Sequence, residues 1–369
     1  MARGINVAAD ILTRTADGVD LNVLWDEFAA TLEEWNAGRD AITALFTSST
    51  TDSFALLPNG GDTFEMEKSS QFGIPTAKRV SPNQLRMGFP LEWTDNRSTY
   101  TRQFLRDASA EQVRAQHSAF LDADNRYVFR EVMGALTRRP ASTGSRPVNE
   151  NLVPVFGLWD GLGDYTPPPF AGKTFTNTHN HYLVSGAATV DGGDLKQLID
   201  TIQEHGYGLR ASNEQIIIMV NPAEADVIRT FRRDPLNEAQ NPFDFIPSVS
   251  APAYLTDVTI VGDKAPAQFN GLDLIGSYGD AWITKNYFIP QGYVIAVATA
   301  GPGAARNPLW FREHVNAAER GFRLLPTYER YPLVESIYER GMGVGVRHRS
   351  AAAVMQIKAS GTYADPVFA

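Results

Sequence analysis

Cysteine is absent from the 369 residues of this chain, which removes disulfides, thiolate zinc sites and cysteine nucleophiles from consideration. Long apolar runs are missing too. Runs such as IIIMV at 216–220 fall far short of the roughly 20 apolar residues that a membrane helix needs. The opening stretch MARGINVAADILTRTADGVD has no apolar h-region, so a chain without a secretory signal, made in the cytosol and soluble there, is expected. Positive charge is in the minority: 33 Lys and Arg stand against 42 Asp and Glu, a net charge of −9. A protein whose main task is to grip nucleic acid is basic on at least one face. The balance therefore argues against a dedicated DNA binder, though not against a protein that lies beside DNA.

What is present is core material. A hydrophobic share of 43% supports one large core or two modest ones. Residues 17–38 read as an amphipathic helix: Leu21, Leu24, Phe28, Leu32 and Trp35 recur every three or four positions, and Gly38 lies near the end. Residues 49–106 carry the turn signals NGGD, GIP and SPN between two extended stretches, TFEMEKSSQFGIPTAKRV and QLRMGFPLEW. In the second, Leu85, Met87, Phe89, Leu91 and Trp93 alternate with Arg86, Gly88, Pro90 and Glu92, which predicts a strand with one apolar face. Pro90 demotes it to an edge strand or an irregular ribbon. A two-stranded ribbon is marginal alone in water, so its apolar face needs a surface to cover.

The strongest helix signal follows. SAEQ at 109–112 fits a capping box, and Val113, Phe120, Leu121, Val128, Val132, Met133 and Leu136 keep helical spacing up to RRPASTGSRP. Such a helix runs ~40 Å and serves as a strut. Beyond a loop-rich stretch at 139–180 the pattern becomes compact α/β. It holds the helix DLKQLIDTIQEHGYG, the buried strand QIIIMV, and the helix NPAEADVIRTF capped by Asn221 with Pro222 at its first position. Strands at about 271–276, 280–284 and 292–299, a helical stretch around 332–340, and a final strand in AAAVMQIKA complete the reading.

Three motifs invite a catalytic reading. Gly341, Gly343 and Gly345 precede Arg347, His348 and Arg349, as in a loop that cradles phosphate. Such a loop needs a strand before it and a helix after it. The expected order here is the reverse, so the glycines are expected to form a turn that feeds a strand. PPPFAGKTF ends like a phosphate-binding loop, but Pro167 stands where that motif needs glycine, and Pro168 and Pro169 remove two amides. THNHY sets His179 and His181 on one face of a strand, with Asp191 or Asp194 as a possible third metal ligand. Pairs of this kind are common by chance, and two partly exposed histidines near a strand start is the preferred reading. No G-x-S-x-G elbow occurs and the carboxylates are scattered. No catalytic residue, metal site or cofactor is expected, and the chain is not expected to be an enzyme.

The order of parts is itself informative: amphipathic arm, long ribbon, long helix, then a compact domain ending in a strand. This order resembles the major capsid proteins of tailed bacteriophages, the Hong Kong 97 fold, over nearly the whole chain. QIIIMVNPAEADVI is similar to that family's strand–Asn-Pro–helix segment. GLDLIGSYGDAWITKNYFIPQGYVIAVATAG is similar to its later strands with a Pro-x-Gly turn. SIYERGMGVGVRHRSAAAVMQIKASG resembles its closing segment, most like capsid proteins of actinobacterial phages. The resemblance implies an α+β fold with an N-terminal arm at 1–48, an E-loop ribbon at 49–106, a spine helix and peripheral domain at 107–191 with part of 325–350, and an axial domain at 192–369.

It further implies hexamers and pentamers in an icosahedral head around packaged double-stranded DNA, touched on the inner face without sequence specificity. Assembly would take place in the host cytoplasm, with a portal and no membrane; the short stretch before the ribbon favours a separate scaffolding protein over none, and decoration proteins are a further option. Net acidity suits an inner wall that must let DNA pass. Candidate subunit contacts are Leu24, Phe28 and Trp35 on the arm, and Phe64, Met66, Leu85, Met87, Phe89, Leu91 and Trp93 on the ribbon, with Arg347 and Arg349 facing either a neighbour or DNA. Some members crosslink through an E-loop lysine, but nothing around Lys68 or Lys78 marks either as reactive. An encapsulin-type shell is the alternative within the same fold, and a metal-dependent hydrolase using His179 and His181 is the alternative from another class.

Overall fold

The computed structural model describes residues 12–38, 40–58, 68, 69, 71, 73, 74, 84–250, 264–326 and 335–368. The chain divides into two compact units, one of Met1–Asp40, Leu91–Phe129 and Glu313–Gly343, the other of Ala41–Pro90, Arg130–Arg312 and Val344–Ala369. Among the described residues no helix is long and apolar enough to cross a membrane.

The first unit is built on α1 (Leu21–Ala37), whose N-cap Asp20 accepts the Asn22 amide at 2.9 Å. The unit also holds β4 (Glu92–Thr99), α3 (Arg102–Asp107) and β14 (Phe322–Pro326). Two further elements belong to it in part: α4 (Ala110–Thr137) as far as Phe129, and β15 (Glu335–Val346) as far as Gly343. As the sequence predicts, Ser109 begins α4, and its amide donates to Gln112 Oε1 at 2.9 Å. With 28 residues the helix is about 42 Å long. The apolar stripe of α1 lies on its own chain. Leu21, Leu24 and Phe28 pack with Tyr100, Leu105, Ala110 and Val113, and Leu32 packs with Leu121, Phe322 and Tyr338. Each fully buried Leu or Phe contributes about 1.5–3 kcal/mol, so this helix is held without a neighbour.

His117 sits inside this cluster, stacked on Phe28 with ring centroids 4.1 Å apart, its Nδ1 2.8 Å from the Tyr338 hydroxyl. Burial pulls the imidazole down to about 4 from its ordinary 6.5. The fold thus keeps the ring neutral where the unfolded chain takes up a proton. This contribution to stability is intact above the ordinary value and is lost as pH falls from about 6.5 towards about 4. A denaturation series across that window should show stability declining with acidity, and His117→Phe, which keeps the stack, should flatten the decline. Equal slopes in the two proteins would overturn the assignment.

One expected helix is a strand. The stretch anticipated as helical at 332–340 enters β15 at Glu335, and 332–334 lie outside the described residues. β15 pairs antiparallel with β14 on one side (Tyr338 opposite Leu324) and with β4 on the other (Tyr338 opposite Asn96). Glu and Arg favour a helix locally, but two ladders and burial of alternate residues Ser336, Tyr338 and Arg340 override that preference. The glycines are correspondingly not a turn but strand interior. A Cβ on Gly341 would lie 2.5 Å from Trp93 Cζ3, and one on Gly345 would lie 2.7 Å from Phe89 Cδ1. Glycine is present because an aromatic ring lies over the backbone at each place.

The second unit is organised by a seven-stranded mixed sheet. Its order is β5 (Tyr182–Val184), β16 (Ala352–Gln356), β12 (Tyr293–Thr299), β6 (Gln215–Val220), β11 (Ala281–Lys285), β10 (Gly276–Tyr278) and β7 (Phe245–Pro247). β6 runs parallel to β11 and antiparallel to β12, and β16 runs parallel to β5. The closing strand thus inserts between two earlier ones. Continuous apolar runs such as QIIIMV and YVIAVAT suit strands covered on both faces. The helix α5 (Gly192–Gln203) turns Leu195, Leu198, Ile199 and Ile202 onto Ile216, Ile218, Val294 and Met355. The short helix α6 (Pro222–Ile228) starts at Asn221, whose Oδ1 accepts from the Ala223 amide at 3.1 Å. Also here are α2 (Ala41–Phe46), the parallel pair β1 (Thr47–Thr50) with β13 (Leu309–Glu313), the ribbon β2 (Phe54–Pro58) with β3 (Gln84–Gly88), and the hairpin β8 (Gln268–Phe269) with β9 (Leu272–Asp273).

Candidate functional site

The ribbon shows which apolar side chains are free to meet another molecule. β2 and β3 pair so that Ala55 faces Met87 and Leu57 faces Leu85. This face packs on Phe156 and Tyr165, and Phe89, beyond the strand, lies tilted against Trp310 with ring centroids 4.8 Å apart. Leu85, Met87 and Phe89 are therefore consumed within the chain. The opposite face pairs Phe54 with Gly88 and Leu56 with Arg86, and there Phe54 and Leu56 remain 40% and 47% exposed. The Arg86 guanidinium lies 5.5 Å from the Phe54 ring centroid. The signal for these two was FALLP, an unbroken apolar run in a two-stranded ribbon, which must turn part of itself outward. The alternation ends at Pro90: Leu91 is half-buried, and Trp93 on β4 is exposed over Gly341. Phe64 and Met66 lie outside the described residues, as does Lys78.

On the arm, Leu24 and Phe28 are buried, and Trp35 is half-buried with Nε1 donating to Asp124 Oδ2 at 2.9 Å. The outer face of α1 exposes Val23 among polar residues.

Arg349 is turned into its own unit. Its guanidinium donates to the Gly157 and Leu158 carbonyls at 2.9 and 3.0 Å and to Asp160 Oδ2 at 3.2 Å. It lies 4.1 Å from the Trp159 ring centroid. Burial pulls it down to about 10, so it stays charged at neutral pH. Arg146 donates to the same Asp160 Oδ2 at 2.8 Å. Arg347 is half-buried, 5.2 Å from the Trp310 ring centroid.

The phosphate-loop look-alike is a tight hairpin. Phe170 and Lys173 exchange both backbone hydrogen bonds, at 3.0 and 2.9 Å. Ala171 and Gly172 between them take φ of 47° and 84°, the pattern of a two-residue type I′ turn. No helix N-terminus follows, and Lys173 pairs with Glu204.

The histidines come together differently from the expected pattern. His179 and His181 are joined by His205, from the turn after α5, and the three Nε2 atoms lie 3.2, 3.2 and 2.9 Å from one another. Asp191 and Asp194 are occupied elsewhere: they cap α5, Asp194's amide donating to Asp191 Oδ1 at 2.9 Å. His181 and His205 are buried and His179 half-buried. Burial holds all three below their ordinary value, His205 at about 3. Sequence reasoning missed His205 because it stands 24 residues from His181, with no spacing rule to link them.

No family model and no curated protein matches the chain. Among solved structures, one described as Mycobacterium phage Patience is 38% identical, covers 99% of this chain and 96% of its own, and superposes with a TM-score of 0.72. The capsid of an empty GTA particle is 14% identical over 87% of this chain and 92% of its own, with a TM-score of 0.46. An encapsulin complex from Synechococcus elongatus is 11% identical over 92% and 98%, with a TM-score of 0.46. The last two are too distant to carry weight, and a hydrolase using His179 and His181 has no support in these likenesses.

Proposed function

This chain belongs to the major capsid proteins of tailed bacteriophages, the Hong Kong 97 family, and on that premise we propose that its hexamers and pentamers close an icosahedral head around double-stranded DNA. It is a structural protein of the virion capsid that assembles with copies of itself. The observation that carries the reading is the continuous likeness over 99% of the chain at 38% identity, which no single motif could supply.

The finer parts of the proposal follow from that role. The chain has no catalytic task, meets DNA on the inner face through backbone-level contact without sequence reading, and assembles in the host cytoplasm. A scaffolding protein, a portal and decoration proteins are its further partners. The arm, E-loop, spine with peripheral domain, and axial domain keep the boundaries given above. Net acidity supports an inner wall that holds DNA weakly, because like charges repel at the short range left by salt.

Within the ribbon, Phe54 and Leu56 form the subunit contact, since the opposite face is already covered by the chain itself. Exposed apolar side chains grouped on one face mark an interaction surface. Electron microscopy of the expressed protein should show uniform closed particles, and a persistent monomer would overturn the capsid reading. Leu56→Asp places a carboxylate beside Arg86 on an exposed face and should leave the subunit folded yet unable to close. Normal particles from that variant would remove the ribbon contact and leave the capsid reading standing.

A further inference from the structure

We propose that His179, His181 and His205 bind one zinc ion in a tetrahedral site of the second unit, with Glu204 as the fourth ligand. Three ε-nitrogens converge from two separated places in the chain, the entry to β5 and the turn after α5, to within 2.9–3.2 Å of one another. Zinc–nitrogen bonds of 2.0–2.1 Å in a tetrahedron set ligand nitrogens about 3.3–3.4 Å apart. A bound ion therefore asks for only a slight spreading of the rings.

Proton accounting favours a cation over a set of hydrogen bonds. His181 Nδ1 lies 2.7 Å from the Ala352 carbonyl, which accepts only a proton-bearing nitrogen. That fixes the tautomer, so His181 Nε2 presents a lone pair to the other two rings. His205 Nδ1 is buried without a hydrogen-bond partner among the described residues. If that nitrogen carries the proton, Nε2 of His205 adds a second lone pair facing the first. If it does not, Nε2–H of His205 points at the lone pair of His181 and the buried Nδ1 keeps an unpaired lone pair. An ion at the centre accepts every Nε2 lone pair at once.

The surroundings are those of a metal site. The Ala352 carbonyl on the far nitrogen of His181 is the outer-shell contact that orients a ligating imidazole. Phe175 stacks on His205 at 4.0 Å and lies 4.9 Å from His179, covering the cluster with an apolar ring. Glu204 Oε1 stands 3.3 Å from His179 Nε2 and 3.9 Å from His205 Nε2 but outside the tight group of three imidazoles, so it closes the site by turning towards the ion; its other oxygen is held by Lys173. Imidazole donors select zinc over magnesium or calcium. Three histidines closed by a carboxylate describe a structural ion rather than a catalytic one with an open position. The ion would clip the turn after α5 to the start of β5.

The inference uses residues of one unit only and stands whether or not the chain builds a head. Purified protein is stripped with chelator, returned to zinc alone, and assayed for bound metal and melting temperature. One zinc per chain and a raised melting temperature are expected. His205→Ala and the half-exposed His179→Ala should lose both, and His179→Ala should melt like the zinc-free parent, which separates lost binding from lost folding. Substituted Co²⁺ should give the strong visible bands of a tetrahedral ion, and Glu204→Gln should weaken them. Folded parent protein that takes up well below one zinc per chain, unchanged zinc uptake in His179→Ala, or the weak bands of six-coordinate Co²⁺ would overturn the proposal.

Discussion

Exchanging Asp160 for alanine is expected to destabilise the subunit by about 3–5 kcal/mol, as breaking a buried ion pair from one side does. Arg146 and Arg349 both donate to Asp160 Oδ2, and their side chains are only 5% and 2% exposed. Without the carboxylate, Arg349 keeps two carbonyls, the Trp159 face and the more distant charge of Asp164, but loses the carboxylate it is hydrogen-bonded to. Arg146 retains Asp164, so the strain falls on Arg349. Arg349→Ala should cost less, about 2–4 kcal/mol, because the main loss is the donors to the Gly157 and Leu158 carbonyls. Denaturation midpoints of purified subunits would rank them, and a parent-like midpoint for Asp160→Ala would sink this account. The result bears on assembly as well: loss of particles in an Arg349 variant would report a misfolded subunit before it reported a lost contact.

Asp124→Ala should be as severe, again about 3–5 kcal/mol, and should act on the other unit. Asp124 on α4 receives Arg340 from β15, Nη2 at 2.6 Å together with Nε, and the Trp35 indole of α1 at 2.9 Å. One carboxylate thus joins two helices and the strand between β14 and β4. Truncation leaves Arg340 buried and unpaired and frees Trp35. Pairing Asp124→Leu with Arg340→Met should recover most of the loss, since apolar residues of similar volume replace a buried pair at little cost. If the double variant were no more stable than Asp124→Ala, the pair would not be the source of the effect.

Much of the secondary structure was legible because it rests on local pattern. The stripe Leu21, Leu24, Phe28, Leu32 is the buried face of α1, and the cap at Ser109 marks the start of α4. QIIIMV, YVIAVAT and AAAVMQ became central strands of one sheet. The failure at 335–346 has a physical cause. SIYERG mixes helix-favouring Glu and Arg with strand-favouring Ile and Tyr, and the second partner that makes it an inner strand lies at 92–99, outside any local window. The glycines suggest a turn locally for the same reason, since the rings of Trp93 and Phe89 that require them are about 250 residues away in sequence.

Sequence alone determined the class of molecule: an acidic, cysteine-free chain with an amphipathic arm, a ribbon, a long helix and a closing strand, in the order of a phage capsid subunit. Those features depend on composition, periodicity and order along the chain. Only the tertiary structure decided what each apolar or charged face meets. It turned Leu85, Met87 and Arg349 inward, left Phe54 and Leu56 outside, and brought His205 to His179 and His181. The physical reason is that burial and ligand convergence are set by contacts between residues far apart in sequence, and periodicity names a face without naming what covers it.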